Sequence, residues 1–314
     1  MIAKTSSILI TGGNGFLGRV VARKLREAGY VDVRTFGSSE FDLTKQADAE
    51  KLFFYHNPEA VIHLAAKVGG IGANQENPGK FAYDNLVMGA NVIEMCRKYQ
   101  AQKLIIAGTI CCYPRITPVP FKEENLYDGY PEPTNAPYGM AKKMLLVLSQ
   151  GYRKQYGSNF VYLLPVNLYG PCDSFDLKSN HVVPAMIKKF HDAKTSNSKQ
   201  VILWGDGSPT REFLYVDDCA EAFVAALEKY DGGDPINIGS GQEIYISDLA
   251  YKIAAVVGYD GEIRWDNTRP NGQMRRCLDT SRAEKLLGWK ARTNLDAGLK
   301  QTYNWYVNQG GVKC

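Results

Sequence analysis

The sequence predicts the α/β class: a doubly wound parallel sheet with a smaller, mostly C-terminal second domain. Three observations predict it. The first half of the 314 residues alternates short β-branched runs with helical patterns. A glycine-rich turn, TGGNGFLG at residues 11–18, stands between the first such run and the first helix. After about Pro165 the rhythm breaks, and segments rich in Gly, Pro, Asp and Ser appear near residues 170–179 and 205–209.

In order, strands are expected at 8–11, 31–36, 60–64, 103–107 and 160–164, and helices at 17–28, 47–56, 81–99 and 138–156. This alternation builds a parallel sheet with helices on both faces, and such sheets bind ligands at the carboxyl ends of their strands. A helix at 218–228 and a strand at 236–238 read as returns to the sheet; helices follow near 246–257 and 294–308. The expected division is 1–168 with 211–240 for the first domain, and 169–210 with 241–314 for a cap over the strand ends.

Composition excludes several classes. Hydrophobic residues make up 45% and charged residues 22%, which suits a globular core rather than disorder. Net charge is +4 with no run of five basic residues, so no nucleic-acid surface is expected. No apolar stretch reaches the ~20 residues that span a bilayer. The first strand begins almost at once after Met1, so no secretory leader is expected, and the seven cysteines read as free thiols in a reducing cytoplasm. Four histidines without clustering argue against a metal site.

The turn carries Gly12, Gly15 and Gly18 at GxxGxxG spacing between a strand and a helix, the context of a Rossmann dinucleotide site. Gly12 permits the tight turn, Gly15 lets the backbone approach a pyrophosphate, and the following helix N-terminus, entered at Phe16 and Leu17, favours phosphate. The tip of the second strand, at Phe36, lacks the acid that holds a ribose 2′-hydroxyl, while Ser38 and Ser39 offer hydroxyls to a 2′-phosphate. This favours NADP. Glu40 is the competing ribose acceptor if the loop curls back. Asp42 and Leu43 are placed beside the adenine.

Tyr138 and Lys142 stand four residues apart on one helix face. A Lys ammonium near a phenol is expected to favour the phenolate, and such a Tyr can exchange a proton with a carbonyl oxygen. Thr109 follows the fourth strand and adds a hydroxyl. Together the Thr–Tyr–Lys set resembles the catalytic triad of the short-chain dehydrogenase/reductases.

Longer segments sharpen the resemblance: HLAAKVGGI at 63–71, TICCYP at 109–114, EPTNAPY at 132–138, NLYGP at 167–171, SNHVVP at 179–184 and WGDGSPTREF at 204–213. They are similar to the signature segments of the GDP-L-fucose synthase family, within the extended short-chain dehydrogenases, and similarity runs from Ile8 to Tyr306. The resemblance implies NADPH-dependent C3/C5 epimerisation and C4 reduction of GDP-4-keto-6-deoxy-D-mannose. It implies Cys111 as epimerisation base and His181 as acid; a thiolate can take an acidic proton beside a ketone, and an imidazole can return one. It implies Asn14, Ala65, Ala66, Lys67, Lys142, Pro165, Asn167, Leu168 and His181 as further cofactor contacts. Asn167, Val182, Lys189, Trp204, Arg211, Asn271 and Arg276 are implied for the GDP-sugar, Arg as a phosphate fork and Trp as a stacking face.

The chain departs from the family pattern in three ways. Thr109 replaces the usual Ser, which keeps the hydroxyl. Asn14 and Phe36 stand where basic residues grip the 2′-phosphate, and Asn271 stands for an Asp. The resemblance also implies a C₂ homodimer through the helices at 85–99 and 138–156, where Met140, Met144, Leu145, Leu146 and Leu148 occupy more than one face. Two alternatives compete: a sugar-nucleotide epimerase, dehydratase or C4 reductase that retains its cofactor, and a non-catalytic nucleotide binder.

Overall fold

A computed structural model describes residues 2–176, 181–269 and 271–308. Its strands are β1 (Ser7–Thr11), β2 (Asp32–Thr35), β3 (Ala60–His63), β4 (Lys103–Ala107), β5 (Phe160–Pro165), β6 (Asn167–Tyr169), β7 (Gln200–Trp204), β8 (Thr210–Tyr215), β9 (Ile236–Ile238), β10 (Glu243–Tyr245) and β11 (Glu262–Asp266). Its helices are α1 (Phe16–Glu27), α2 (Gln46–His56), α3 (Ile71–Glu76), α4 (Pro78–Lys98), α5 (Ala136–Tyr156), α6 (Val182–Thr195), α7 (Val216–Lys229), α8 (Ile246–Val257), α9 (Ser281–Leu287) and α10 (Leu295–Asn308).

Six strands form one parallel sheet in the order β2-β1-β3-β4-β5-β9. The expected α/β class and doubly wound parallel sheet are therefore present. β3 and β4 are buried at every position, as strands covered on both faces must be. Helices α1, α7 and α9 form one layer, and α2, α4 and α5 another. The chain reverses its winding between β1 and β3, which opens a crevice at the strands' carboxyl ends.

The helix signals act as sequence rules predict. Val20, Val21 and Leu25 give α1 its buried stripe, with Lys24 and Arg26 in the last turn. Pro137 sits in the first turn of α5, and Gly157 ends that helix in the left-handed region.

A second core gathers Val183, Met186, Ile187 and Phe190 of α6 with Leu249 and Ile253 of α8 and Leu299 of α10. Two small sheets support it, β10-β8-β6 and β11-β7. The expected division does not anticipate one return. Leu278, Ala283, Leu287 and Trp289, within 241–314, pack into the first core.

The expectation of free thiols throughout needs correction. Cys96, Cys111, Cys112, Cys219 and Cys277 are free, but Cys172 is disulfide-bonded. Phe175 of the same loop packs on Tyr306 with ring centroids 4.5 Å apart. That loop is thus pinned to the C-terminal helix, a tertiary neighbour that spacing alone does not reveal. Among the described residues no helix is long and apolar enough to cross a membrane.

Candidate active site

One cleft of about 820 Å³ runs along the carboxyl ends of the sheet and under the second core. At one end it is lined by Gly12, Asn14, Gly15, Phe16, Leu17 and Gly18. Gly12 has φ +70°, and a Cβ there would stand 2.7 Å from the Ala65 backbone nitrogen. The turn and the end of β3 therefore meet backbone to backbone, which only glycine allows. Ala65, Ala66 and Lys67 continue the wall. Their loop is clamped by the buried Asn85, which accepts from Lys67 N at 3.0 Å and donates to Lys67 O at 2.9 Å.

The tip of β2 carries the residues of both cofactor alternatives. Phe36, Ser38, Asp42 and Leu43 line the cleft. Ser39 is exposed in the turn that follows, and its Oγ would stand 3.5 Å from a Cβ on Gly37, itself a lining residue. The Glu40 carboxylate closes that turn by accepting from Gly37 N at 2.6 Å. Arg34 points away and pairs with Asp32.

Thr109, Cys111, Tyr138 and Lys142 converge at mid-cleft. Thr109 caps the short 3₁₀ turn Ile110–Cys112, its hydroxyl accepting from Cys111 N at 3.2 Å. A Cβ on Gly139 would stand 2.2 Å from the Cys111 carbonyl oxygen, so α5 lies directly on this turn. Sequence reading missed Gly139, one residue after Tyr138. Tyr162 fixes the same helix by donating to the Lys142 carbonyl at 2.6 Å.

The electrostatics differ from the expected lowering of the phenol by Lys142. Burial pushes Tyr138 well above its ordinary value, nearby Cys111 and Cys112 add to this, and a hydrogen bond with Thr109 opposes it. Burial also holds Lys142 down at about 8, with only Cys112 opposing. In this cleft, desolvation disfavours the charged forms of both groups and is the largest cause of each shift. Cys112, the neighbour in sequence of Cys111, is buried, and that burial raises its thiol to about 12.

Pro165, Asn167 and Leu168 line the floor. Asn167 is held by donation to the Glu212 carbonyl at 3.1 Å. His181 caps α6 with its side chain open to the cleft, and the surrounding protein desolvates it and lowers its pKa. Ser179, Asn180 and Pro270 lie outside the described residues.

The far end is lined by Val182, Lys189, Trp204, Arg211, Asn271 and Arg276. Trp204 is 60% exposed, with the Arg269 guanidinium 5.0 Å and the Lys189 ammonium 6.0 Å from its ring. Arg211 donates to the carbonyls of Thr210 and Asn271, and burial followed by the neighbouring Arg276 lowers it to about 10. Two cations thus share a partly dry pocket, an arrangement suited to a polyanion.

Comparison with known proteins agrees with this geometry. Residues 8–239 match the model of the NAD dependent epimerase/dehydratase family. The chain is 42% identical to GDP-L-fucose synthase 1 of Arabidopsis thaliana, over 98% of this chain and 95% of that one. It belongs to this epimerase/dehydratase family, among the GDP-L-fucose synthases. Among solved structures, a GDP-6-OMe-4-keto-L-xylo-heptose reductase of Campylobacter jejuni superposes with a TM-score of 0.93 at 30% identity, covering 98% of this chain and 99% of that one. A GDP-L-fucose synthetase of Naegleria fowleri bound to NADP has a TM-score of 0.90 at 27% identity, covering 99% and 95%.

Proposed function

We propose that the chain converts GDP-4-keto-6-deoxy-D-mannose to GDP-L-fucose by epimerising C3 and C5 and then reducing C4 with NADPH. One observation carries the reading: Cys111 and the Thr109–Tyr138–Lys142 set stand in the same cleft, within one turn and one helix face. The curated GDP-L-fucose synthases at 42% and 44% identity support it.

The turn at 12–18 and the tip of β2 fit a dinucleotide. A side chain at Gly12 would fill the cradle, and the Glu40 carboxylate is already engaged by Gly37 N–H. Asn14 and Ser38 offer an amide and a hydroxyl there, which favours NADP. When bound, the dinucleotide supplies the hydride. Tyr138 donates a proton to the ketone oxygen, Thr109 orients that oxygen, and Lys142 restores the phenol's proton. For epimerisation, Cys111 takes the proton from carbon as the electron pair moves to the ketone oxygen, and His181 returns a proton on the opposite face. Lys189, Trp204, Arg211, Asn271 and Arg276 hold the GDP-sugar, with Val182 and Asn167 alongside. In this reading the first core is the dinucleotide-binding domain and the second the nucleotide-sugar domain.

The assay is NADPH absorbance with GDP-4-keto-6-deoxymannose, with product stereochemistry by NMR. Reduction without inversion at C3 and C5 would make the chain a simple C4 reductase. No net NADPH oxidation would make it an epimerase or dehydratase that retains its cofactor.

The reading includes a C₂ homodimer and a cytoplasmic location. Leu145 and Leu146 turn into the core, while Met140, Met144 and Val147 form an exposed apolar stripe on α5, and Tyr83 of α4 is exposed as well. Light scattering at micromolar protein should give a dimer mass, and cell fractionation tests the compartment.

A further inference from the structure

The side chain that commits itself to Cys111 lies in the EPTNAPY segment but is not among the site residues that the resemblance implies. Asn135 is the N-cap of α5 and is 8% exposed. An N-cap Asn ordinarily turns its oxygen onto the N–H of the second or third helical residue, worth ~1 kcal/mol. In α5 the second residue is Pro137, which has no N–H, and Asn135 makes no capping bond to the third, Tyr138, either. Its Nδ2 instead donates to the Cys111 sulfur at 3.4 Å, and its Oδ1 is buried without a partner. The residue thus gives up a cap and leaves an oxygen orphaned, two costs accepted for one hydrogen bond to sulfur.

A second donor converges on the same atom. Arg276 Nη1 stands 3.7 Å from the sulfur, and Gln273 Oε1 fixes this guanidinium by accepting from Nε at 2.7 Å. The Arg211 guanidinium is also attracted electrostatically to Cys111. Asn135, Gln273 and Arg276 all line the cleft.

We propose that Asn135, backed by Arg276, is the positioning residue for proton abstraction: its amide holds the Cys111 sulfur in place and stabilises the negative charge it carries as a base. The inference rests on Cys111 being that base. Fixed N–H donors aimed at a sulfur favour its thiolate. A buried oxygen left without a partner beside a reactive group points to such a role.

The test uses the full chain with NADPH bound and two variants. Asn135→Ser supplies a preferred N-cap without the amide donor, so the helix keeps its support. Asn135→Asp keeps the shape but sets a carboxylate oxygen against the sulfur. Four quantities are measured: alkylation of Cys111 by iodoacetamide with Cys111→Ser as background, deuterium wash-in at C3 and C5, kcat and KM for reduction of a pre-epimerised ketone, and the thermal midpoint.

Asn135→Asp should slow alkylation and wash-in by about 10²-fold, and Asn135→Ser by about tenfold, at the low end of general-base effects. Reduction should fall by a smaller factor in both, and the midpoint of Asn135→Ser should hold or rise. Wild-type alkylation in both variants overturns the proposal. So does a loss of reduction equal to the loss of wash-in, which would make Asn135 a support of the fold alone. If Cys111→Ser exchanges protons normally, the reading of Cys111 as base fails instead, and the alkylation rates still decide what Asn135 does to the sulfur.

Discussion

The two ends of the cleft are built from different material. At the dinucleotide end the wall is largely backbone: the turn from Gly12 to Gly18, the loop through Ala65 and Ala66, and the tip of β2. At the sugar end it is side chains brought from four separate segments, Lys189 on α6, Trp204 ending β7, Arg211 on β8, and Asn271 with Arg276 on the loop after β11. A backbone-built surface depends on local conformation and tolerates no added atoms. A side-chain surface depends on distant segments meeting, and it can be retuned one residue at a time.

The largest expected effects fall between the two ends, where both kinds of wall meet the reacting atoms. Tyr138→Phe should lower C4 reduction by about 10²–10⁴ while retaining substantial deuterium exchange at C3 and C5. Cys111→Ser should lose exchange far more than reduction of a pre-epimerised ketone, because a hydroxyl is too weak a base near neutral pH. Normal exchange by Cys111→Ser would reduce Cys111 to a packed thiol and turn attention to His181.

At the backbone end, Gly12→Ala forces a Cβ to 2.7 Å from the Ala65 nitrogen and a strained positive φ. NADPH binding by calorimetry should weaken more than tenfold, and stability should fall by ~1–3 kcal/mol. At the side-chain end, Arg211→Lys should raise KM for the GDP-sugar by about tenfold through loss of the planar fork, with NADPH affinity unchanged. If Gly12→Ala binds NADPH normally, or Arg211→Lys disturbs it, the contrast between the ends is broken.

Smaller effects sharpen the picture. Burial holds Lys142 at about 8 against 10.5 for the free side chain. Between these values the unfolded chain binds more protons, so stability rises with pH through that window, and the burial penalty is complete below it. Lys142→Met should therefore raise the thermal midpoint at pH 7, and raise it less above pH 10.5. An equal gain at both would remove the ammonium as the cause. Last, NADPH should bind more tightly than NADH, since Phe36 offers no carboxylate. Equal affinities would take Ser38 and Asn14 out of contact with the 2′-phosphate and bring Glu40 back as a ribose partner.

The same contrast governs what the sequence made legible. The six-stranded sheet and its helices follow from periodicity and punctuation. The dinucleotide turn follows from three glycines whose work is local. Helix α6 escaped notice although Val183, Met186, Ile187 and Phe190 carry a helical period, because they follow a Gly/Pro-rich segment that reads as loop. The pairing of β7 with β11 joins Gln200 to Glu262, a partnership no local pattern encodes. Lys189, Trp204, Arg211 and Arg276 were reachable only through family resemblance, since nothing in their spacing announces that they meet. The Glu40 carboxylate on Gly37 N–H, which shapes the turn carrying Ser38 and Ser39, was not legible either. The direction assigned to Tyr138 failed because a sequence records a neighbouring cation but not the dryness of the cleft around it.

The contact of Gly139 with the Cys111 carbonyl bears on how such an enzyme can change over generations. Helix α5 carries the reductive pair and rests on the turn that carries the thiol. An insertion, or any bulkier residue at that seam, would shift both chemistries together, so neither can be remodelled at the level of the main chain while the other is spared. A lineage that abandons inversion but keeps reduction has a narrow route: replace side chains at 111 and 135 and leave the path of the chain untouched. Descendants with different products would then look nearly superimposable, and their divergence would be written in a few atoms rather than in shape.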